Sequence, residues 1–183
     1  MKKVLLVTLI TVFGFANMNA QNIQFGVKGG LNFADIRGGN TNNAKTVTAF
    51  NLGAMAEISI TNKFSFQPEL IFSGQGYSIG DNVIALNHLN VPLIAKYYAT
   101  EKFSLEVGPQ IGFLLSAENE NINIKDNFKN IDYGVNMGIG YKLDNGLNFG
   151  VRYNLGLSNI NNIDNATDKI KSGVLQLSVG YFF

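Results

Sequence analysis

From Ile23 to Phe183 the chain repeats one pattern eight times: apolar side chains alternate strictly with polar or small ones. Alternation at period two places every second side chain on the same face of a β-strand. The first segment sets Ile23, Phe25, Val27, Gly29, Leu31 and Phe33 against Gln24, Gly26, Lys28, Gly30 and Asn32. The last sets Leu175, Leu177, Val179, Tyr181 and Phe183 against Val174, Gln176, Ser178, Gly180 and Phe182. Six more lie between, over residues 50–60, 64–73, 89–98, 103–113, 131–142 and 147–158. No apolar run after Gln21 approaches the ~20 residues of a spanning helix. If the mature chain enters a membrane, it must therefore do so as a closed barrel, whose strands satisfy each other's backbone groups.

The connections alternate as well. Thr61–Lys63, Thr100–Lys102 and Asp144–Gly146 read as tight turns, whereas Asp35–Val47, Ser78–Asn87, Ala117–Asn130 and Asn159–Lys171 read as long, Asn-rich loops. Short turns at one end and long loops at the other are the asymmetry of outer-membrane barrels. The fold class expected is all-β: an eight-stranded antiparallel up-and-down transmembrane β-barrel, with short periplasmic turns and long external loops.

Composition decides which face meets lipid. The polar face is rich in Gly, Ser and Asn and poor in the long charged residues of a water-facing surface. The apolar face carries aromatics near strand ends, among them Phe25, Phe33, Phe50, Phe64, Tyr97, Phe103, Tyr141 and Tyr181, as interfacial girdles do. Apolar outward and polar inward is the expected sense. A soluble, periplasmic lipid-binding barrel, with the apolar face lining a cavity, is the alternative.

The first twenty residues have the form of an export signal. Lys2 and Lys3 precede an uncharged apolar stretch from Val4 to Ala16, and Ala20 offers a small residue for cleavage. The domain reading is a cleaved secretory signal peptide over 1–20 and one outer-membrane β-barrel domain over 21–183. The chain has no cysteine and a net charge of +1. These exclude a thiolate metal site and leave no basic footprint for nucleic acid.

Seven charged residues fall on the inward face, Lys28, Glu57, Glu69, Lys96, Glu106, Lys142 and Arg152, with Asp132 toward the loop-side end. An eight-stranded interior is filled by side chains, and buried charges there must pair. A salt-bridged, closed lumen is expected, with Lys28, Glu69 and Arg152 in one layer and Glu57, Lys96 and Glu106 nearer the periplasm. A gated or narrow ion path is the other use of the same residues. Pro68, Pro92 and Pro109 sit mid-strand, where β-bulges are expected to accommodate them. The single histidine, His88, reads as a polar rim residue; no catalytic, cofactor-binding or metal constellation is recognisable. Tyr181 and Phe183 form the aromatic end of the last segment, a pattern that resembles the signal read by the barrel assembly machinery.

Several stretches together resemble a known group: Phe25-Gly26-Val27-Lys28-Gly29-Gly30-Leu31-Asn32, Phe66-Gln67-Pro68-Glu69-Leu70, Leu89-Asn90-Val91-Pro92-Leu93 and Val107-Gly108-Pro109-Gln110. They are similar to the PorT-like outer-membrane β-barrel family of Bacteroidetes, and the likeness covers nearly all of the mature chain. It implies a bacterial outer-membrane barrel. The family's namesake is tied to protein secretion, but no residue here carries that role over. The function expected is a structural or interaction barrel, neither an enzyme nor cofactor-dependent, with the loops Asp35–Val47 and Ala117–Asn130 as contact surface. A narrow pore or an accessory to protein secretion is the alternative. The partners expected are outer-membrane lipid, the assembly machinery and an envelope or secretion-system protein.

Overall fold

Each alternating segment becomes a strand, because only an extended backbone puts its apolar set on one side. In chain order these are β1 (Ile23–Arg37), β2 (Ala44–Ser59), β3 (Phe64–Ile79), β4 (Asn82–Tyr98), β5 (Phe103–Asn119), a two-residue β6 (Ile122–Asn123), β7 (Ile131–Lys142), β8 (Leu147–Gly156) and β9 (Lys171–Phe182). The structure, a computed structural model, describes residues 23–39, 44–80, 82–120, 122–162 and 169–183. The expected signal peptide over 1–20 lies outside the described residues.

All wall pairings are antiparallel between sequence neighbours, β6 apart, and β1 closes the ring against β9. The result is a closed eight-stranded barrel. Its stagger can be followed through the register. Ile23 faces Ile58, which faces Phe66, then Ala95, Val107, Met137, Tyr153 and Leu175; Leu175 returns to β1 at Phe33. The circuit thus comes back ten residues higher on its own strand. With eight strands, that stagger sets a strand tilt of about 40°.

The facing follows the expected sense over the central wall. Phe25, Val27, Leu31, Phe50, Leu52, Leu70, Val107, Val151 and Val179 are exposed on the outside, while Lys28, Asn32, Asn51, Glu57, Glu69, Lys96 and Glu106 are buried inside. A soluble barrel with an apolar cavity needs the reverse and is ruled out by this arrangement. Aromatic pairs brace the outer surface: Phe50 with Phe72 at 5.6 Å, Phe64 with Tyr97 at 5.0 Å and Tyr181 with Phe183 at 5.9 Å between ring centroids.

The three prolines are handled differently from expectation. No register shift occurs at Pro68, Pro92 or Pro109; the irregularities lie between Thr46 and Asn51 and between Asn87 and His88. Instead each proline keeps its pairing on one flank, Pro68 with Leu93, Pro92 with Gln110 and Pro109 with Val135. Pairing lapses toward the preceding strand. A missing N–H removes a ladder bond on one side only, and a short gap is enough to absorb it.

The loop-end strands also run further than their patterns suggest. β3 continues to Ile79 and β4 begins at Asn82, so the expected ten-residue connection at 78–87 is mostly hairpin. β1 and β2 likewise extend to Arg37 and from Ala44. The reason is a change of phase. Beyond Phe33 the apolar positions of β1 become Ala34 and Ile36, which point inward and are buried, while Asp35 and Arg37 point outward. Outside a membrane, the barrel reverts to the soluble sense.

Candidate functional site: a charge-paired lumen

The seven charges named above come from seven of the eight wall strands, one from each of β1, β2, β3, β4, β5, β7 and β8, and β7 also turns Asp132 inward nearer the loop end. They meet in one chain of alternating sign. Lys28 reaches Glu69 at 3.2 Å, and Glu69 is held by Arg152 at 2.9 Å. Arg152 also reaches Glu106 at 2.7 Å, and Glu106 lies 3.6 Å from Lys96. Lys96 and Lys142 share Glu57, each at 3.3 Å. All seven residues picked out by facing are therefore linked, and Arg152 joins the two expected layers through Glu69 and Glu106.

Neutral groups add to the coordination, although Arg152 Nε, buried at its centre, has no hydrogen-bond partner among the described residues. Gln67 donates to Glu69 at 2.6 Å and accepts from Lys96 at 3.1 Å. Tyr98 donates to Glu57 at 2.5 Å, and Lys142 donates to Gln24 at 2.5 Å. Four cations face three carboxylates here; the Phe182 ring, 4.2 Å from Lys142 Nζ, gives the outermost cation a π face. Gln24, Gln67, Tyr98 and Phe182 were not singled out from the sequence. Their signal was available, since each shares the inward parity of its strand.

Glycine determines how tightly this fills. The inner face of β1, β7, β8 and β9 carries Gly26, Gly30, Gly138, Gly140, Gly150 and Gly180, and neighbouring inward side chains fill the space they leave. A Cβ at Gly26 or Gly180 would lie 2.9 Å from Met55 Cε, and one at Gly140 would lie 2.7 Å from Ser104 Oγ. Met55, Ile71 and Ile94, buried at the inward positions, add an apolar filling. The space left among Lys28, Met55, Gln67, Lys96 and Glu106 is about 10 Å³. That is at or below the room one water needs.

Toward the loop end the lumen passes into a layer of amides. Asn32 donates to Ser73 at 2.9 Å and accepts from Asn51 at 2.9 Å and Gln176 at 3.1 Å, and Asn136 donates to Gln110 at 3.2 Å. His88 belongs to this interior, 5% exposed and 3.7 Å from Asp132. It is not the rim residue its position suggested, because strand β4 continues past it to Asn82. Above it, Ile36, Tyr77, Leu86, Leu114, Ala117 and Ile160 form an apolar cap, with Ile124 and Phe128 packed on top. The loop segments are pinned there by Ile124 N–H to Ala117 at 2.9 Å and Lys129 N–H to Ile160 at 2.9 Å. At the short-turn end the lumen opens into a polar cup of about 640 Å³, floored by Glu57, Ser65, Tyr98 and Lys142. Tyr181 and Phe183 stand on the outer surface beside it, 46% and 76% exposed.

Residues 19–162 match the family described as outer membrane protein beta-barrel domain. Among solved structures, Neisserial surface protein A is 16% identical, with a TM-score of 0.61, over 87% of this chain and 97% of that one. Ail, the attachment invasion locus protein of Yersinia pestis, is 14% identical, with a TM-score of 0.54, over 88% and 99%. These likenesses are of fold. No curated protein sequence matches the chain.

Proposed function

Because the chain belongs to the outer membrane protein beta-barrel domain family and so lies in the bacterial outer membrane, we propose that it is a closed barrel of structural or interaction type. Its loop-end surface is the contact face. The observation that carries this reading is the alternating ion chain from Lys28 to Lys142, with a pocket of only about 10 Å³ among Lys28, Gln67, Lys96 and Glu106. A conducting path would have to part ion pairs that cost several kcal/mol to leave single. The apolar cap around Tyr77 and Leu86 is a second closure in series. Ile79, Val83 and Ile122, 49%, 46% and 67% exposed on the loop-end hairpins, favour a protein contact there.

The finer kinship with PorT-like barrels of Bacteroidetes rests on the Gln67-Pro68-Glu69-Leu70 and Val91-Pro92-Leu93 stretches. It favours, as a second reading, an accessory to protein secretion that binds a partner without conducting. The experiment is conductance of the purified protein in planar lipid bilayers. The closed reading expects no current steps above the bare bilayer. Steady ohmic steps from heat-modifiable, folded protein would overturn it in favour of a narrow pore.

A further inference from the structure

On the outer wall, just beyond the apolar band, three neighbouring strands gather polar groups around one glycine. Gly173 on β9 pairs with Asp35 on β1 and Leu155 on β8. A side chain at Gly173 would collide with Asp35 Oδ1 and Tyr153 Oη and would lie 3.3 Å from Arg37 Nε. The glycine thus leaves a notch into which Asp35, Tyr153 and Arg37 converge. The Arg37 guanidinium carbon stands 5.1 Å above the Tyr153 ring. Lys171, outward and exposed, is the direct cross-strand partner of Arg37.

This cluster is poorly satisfied within the described residues. Like charges directly opposite across a ladder destabilise the pair, yet Arg37 and Lys171 occupy such positions. Arg37 meets Asp35 only at 3.7 Å, beyond hydrogen-bond distance. Asp35 Oδ1 and Tyr153 Oη are buried atoms with no hydrogen-bond partner. Two cations face outward with donor capacity unused, and the arrangement suits an anion with several acceptor oxygens.

The depth of the notch identifies the anion's carrier. Along β1 the outward positions are Phe25, Val27, Gly29, Leu31 and Phe33, then Asp35 and Arg37; along β9 they are Tyr181, Val179, Leu177 and Leu175, then Gly173 and Lys171. The inward phase change at Ala34 and Ile36 marks the same boundary. The cations therefore stand at the headgroup level of the outer leaflet, directly above lipid-facing Phe33 and Leu175. Soluble anions have no reason to choose this place, whereas a headgroup is held there by its own acyl chains.

We propose that Arg37 and Lys171 form a docking site for the phosphate of an outer-leaflet lipid headgroup, with the Tyr153 ring beneath the Arg37 guanidinium holding it in place. Asp35 sits beside the phosphate to orient Arg37 and to receive a hydroxyl or amine of the same headgroup. The site rests on the outer-membrane placement and is independent of whether the lumen is closed.

The test is native mass spectrometry of the folded barrel released from detergent micelles containing phosphatidic acid or phosphatidylcholine. The wild type should retain phosphatidic acid in preference to phosphatidylcholine. With about fivefold per cation at a membrane surface, R37Q/K171Q should lower that retention about thirtyfold, and Y153L, which removes the ring under Arg37, should lower it without a charge change. K63Q/K102Q removes two cations at the short-turn end and should leave it unchanged. Arg37, Lys171 and Lys63 are exposed, and the heat-dependent gel shift checks that each variant is folded. Equal retention by R37Q/K171Q and wild type would overturn the site. So would an equal loss in K63Q/K102Q, which would reduce the effect to net charge.

Discussion

Arg152 on β8 holds Glu69 on β3 with both guanidinium nitrogens, Nη1 to Oε2 at 2.9 Å and Nη2 to Oε1 at 3.0 Å. In the ring of eight, β3 and β8 have three wall strands between them in either direction. The bidentate pair therefore spans the barrel's full width and ties opposite walls together. Arg152→Met should cost about 3–5 kcal/mol, because it strands the Glu69 and Glu106 charges with fewer partners in a medium that cannot solvate them. Lys142→Met, at the open mouth with its side chain 20% exposed, should cost less, because Glu57 keeps Lys96 at 3.3 Å and the Tyr98 hydroxyl. Urea unfolding in lipid vesicles would compare the two. Equal losses would mean that the charge chain has no buried centre.

The outward face admits a similar contrast. Leu177 lies between Val179 and Leu175 on the lipid side and pairs with Leu31 and Val151. Leu177→Arg should cost about 2–4 kcal/mol near the midplane. One residue away, Gln176 points inward and donates to Asn32. Gln176→Arg should fail for another reason, by crowding a filled lumen. The two variants separate by membrane thickness: thinning the bilayer should relieve the lipid-face substitution and leave the lumen one unchanged. Identical responses would count against the facing.

Facing was legible because period-two alternation is a local property of the chain. The seven inward charges follow from parity alone. Their connection into a single chain does not, since it depends on a stagger of ten residues distributed over eight pairings. The loop-end strands look like loops in the sequence for a physical reason. Lipid-facing strands carry their apolar residues outward, but beyond Phe33 or before Leu89 the apolar residues Ile36, Ile84 and Leu86 turn inward. A break in phase marks the membrane boundary, not the end of the strand. His88 was misplaced by the same reversal. The prolines were expected to force bulges because a closed barrel offers no edge, yet losing one flank's pairing over two residues is a smaller disturbance than shifting the register.

Gly108 tests how closely the wall is packed where the prolines interrupt it. It faces inward on β5 next to Pro109, and a side chain there would collide with the Leu93 carbonyl and sit 2.9 Å from Ile94 Cα. The obstruction is backbone, which cannot swing aside as a side chain can. Gly108→Ala should cost about 1–3 kcal/mol as an overpacking substitution. Gly80→Ala, with nothing within 4 Å but φ at +61°, should cost about 1 kcal/mol from conformation alone. Unfolding midpoints by heat-dependent gel mobility would distinguish them, and a tolerated Gly108→Ala would show that β4 and β5 can part at this level.

The lumen has two closures in series, and each should suffice alone. Leu86 and Leu114 lie in the apolar cap at 3% and 5% exposure, and their truncation to alanine should cost about 2–5 kcal/mol each through the cavity left behind. Ion passage should nevertheless stay blocked, because the chain from Lys28 to Lys142 still fills the passage below. Conversely, Glu69→Ala with Arg152→Ala removes the spanning pair as a unit but leaves the cap intact, so no conductance is expected there either. Only the four substitutions together should give current steps in a planar bilayer. Conductance from the cap variant alone would show that the ion pairs part readily under a potential. Conductance from the ion-pair variant alone would show that the cap does not seal. In either case the barrel would have one gate, and the residues forming it would be known.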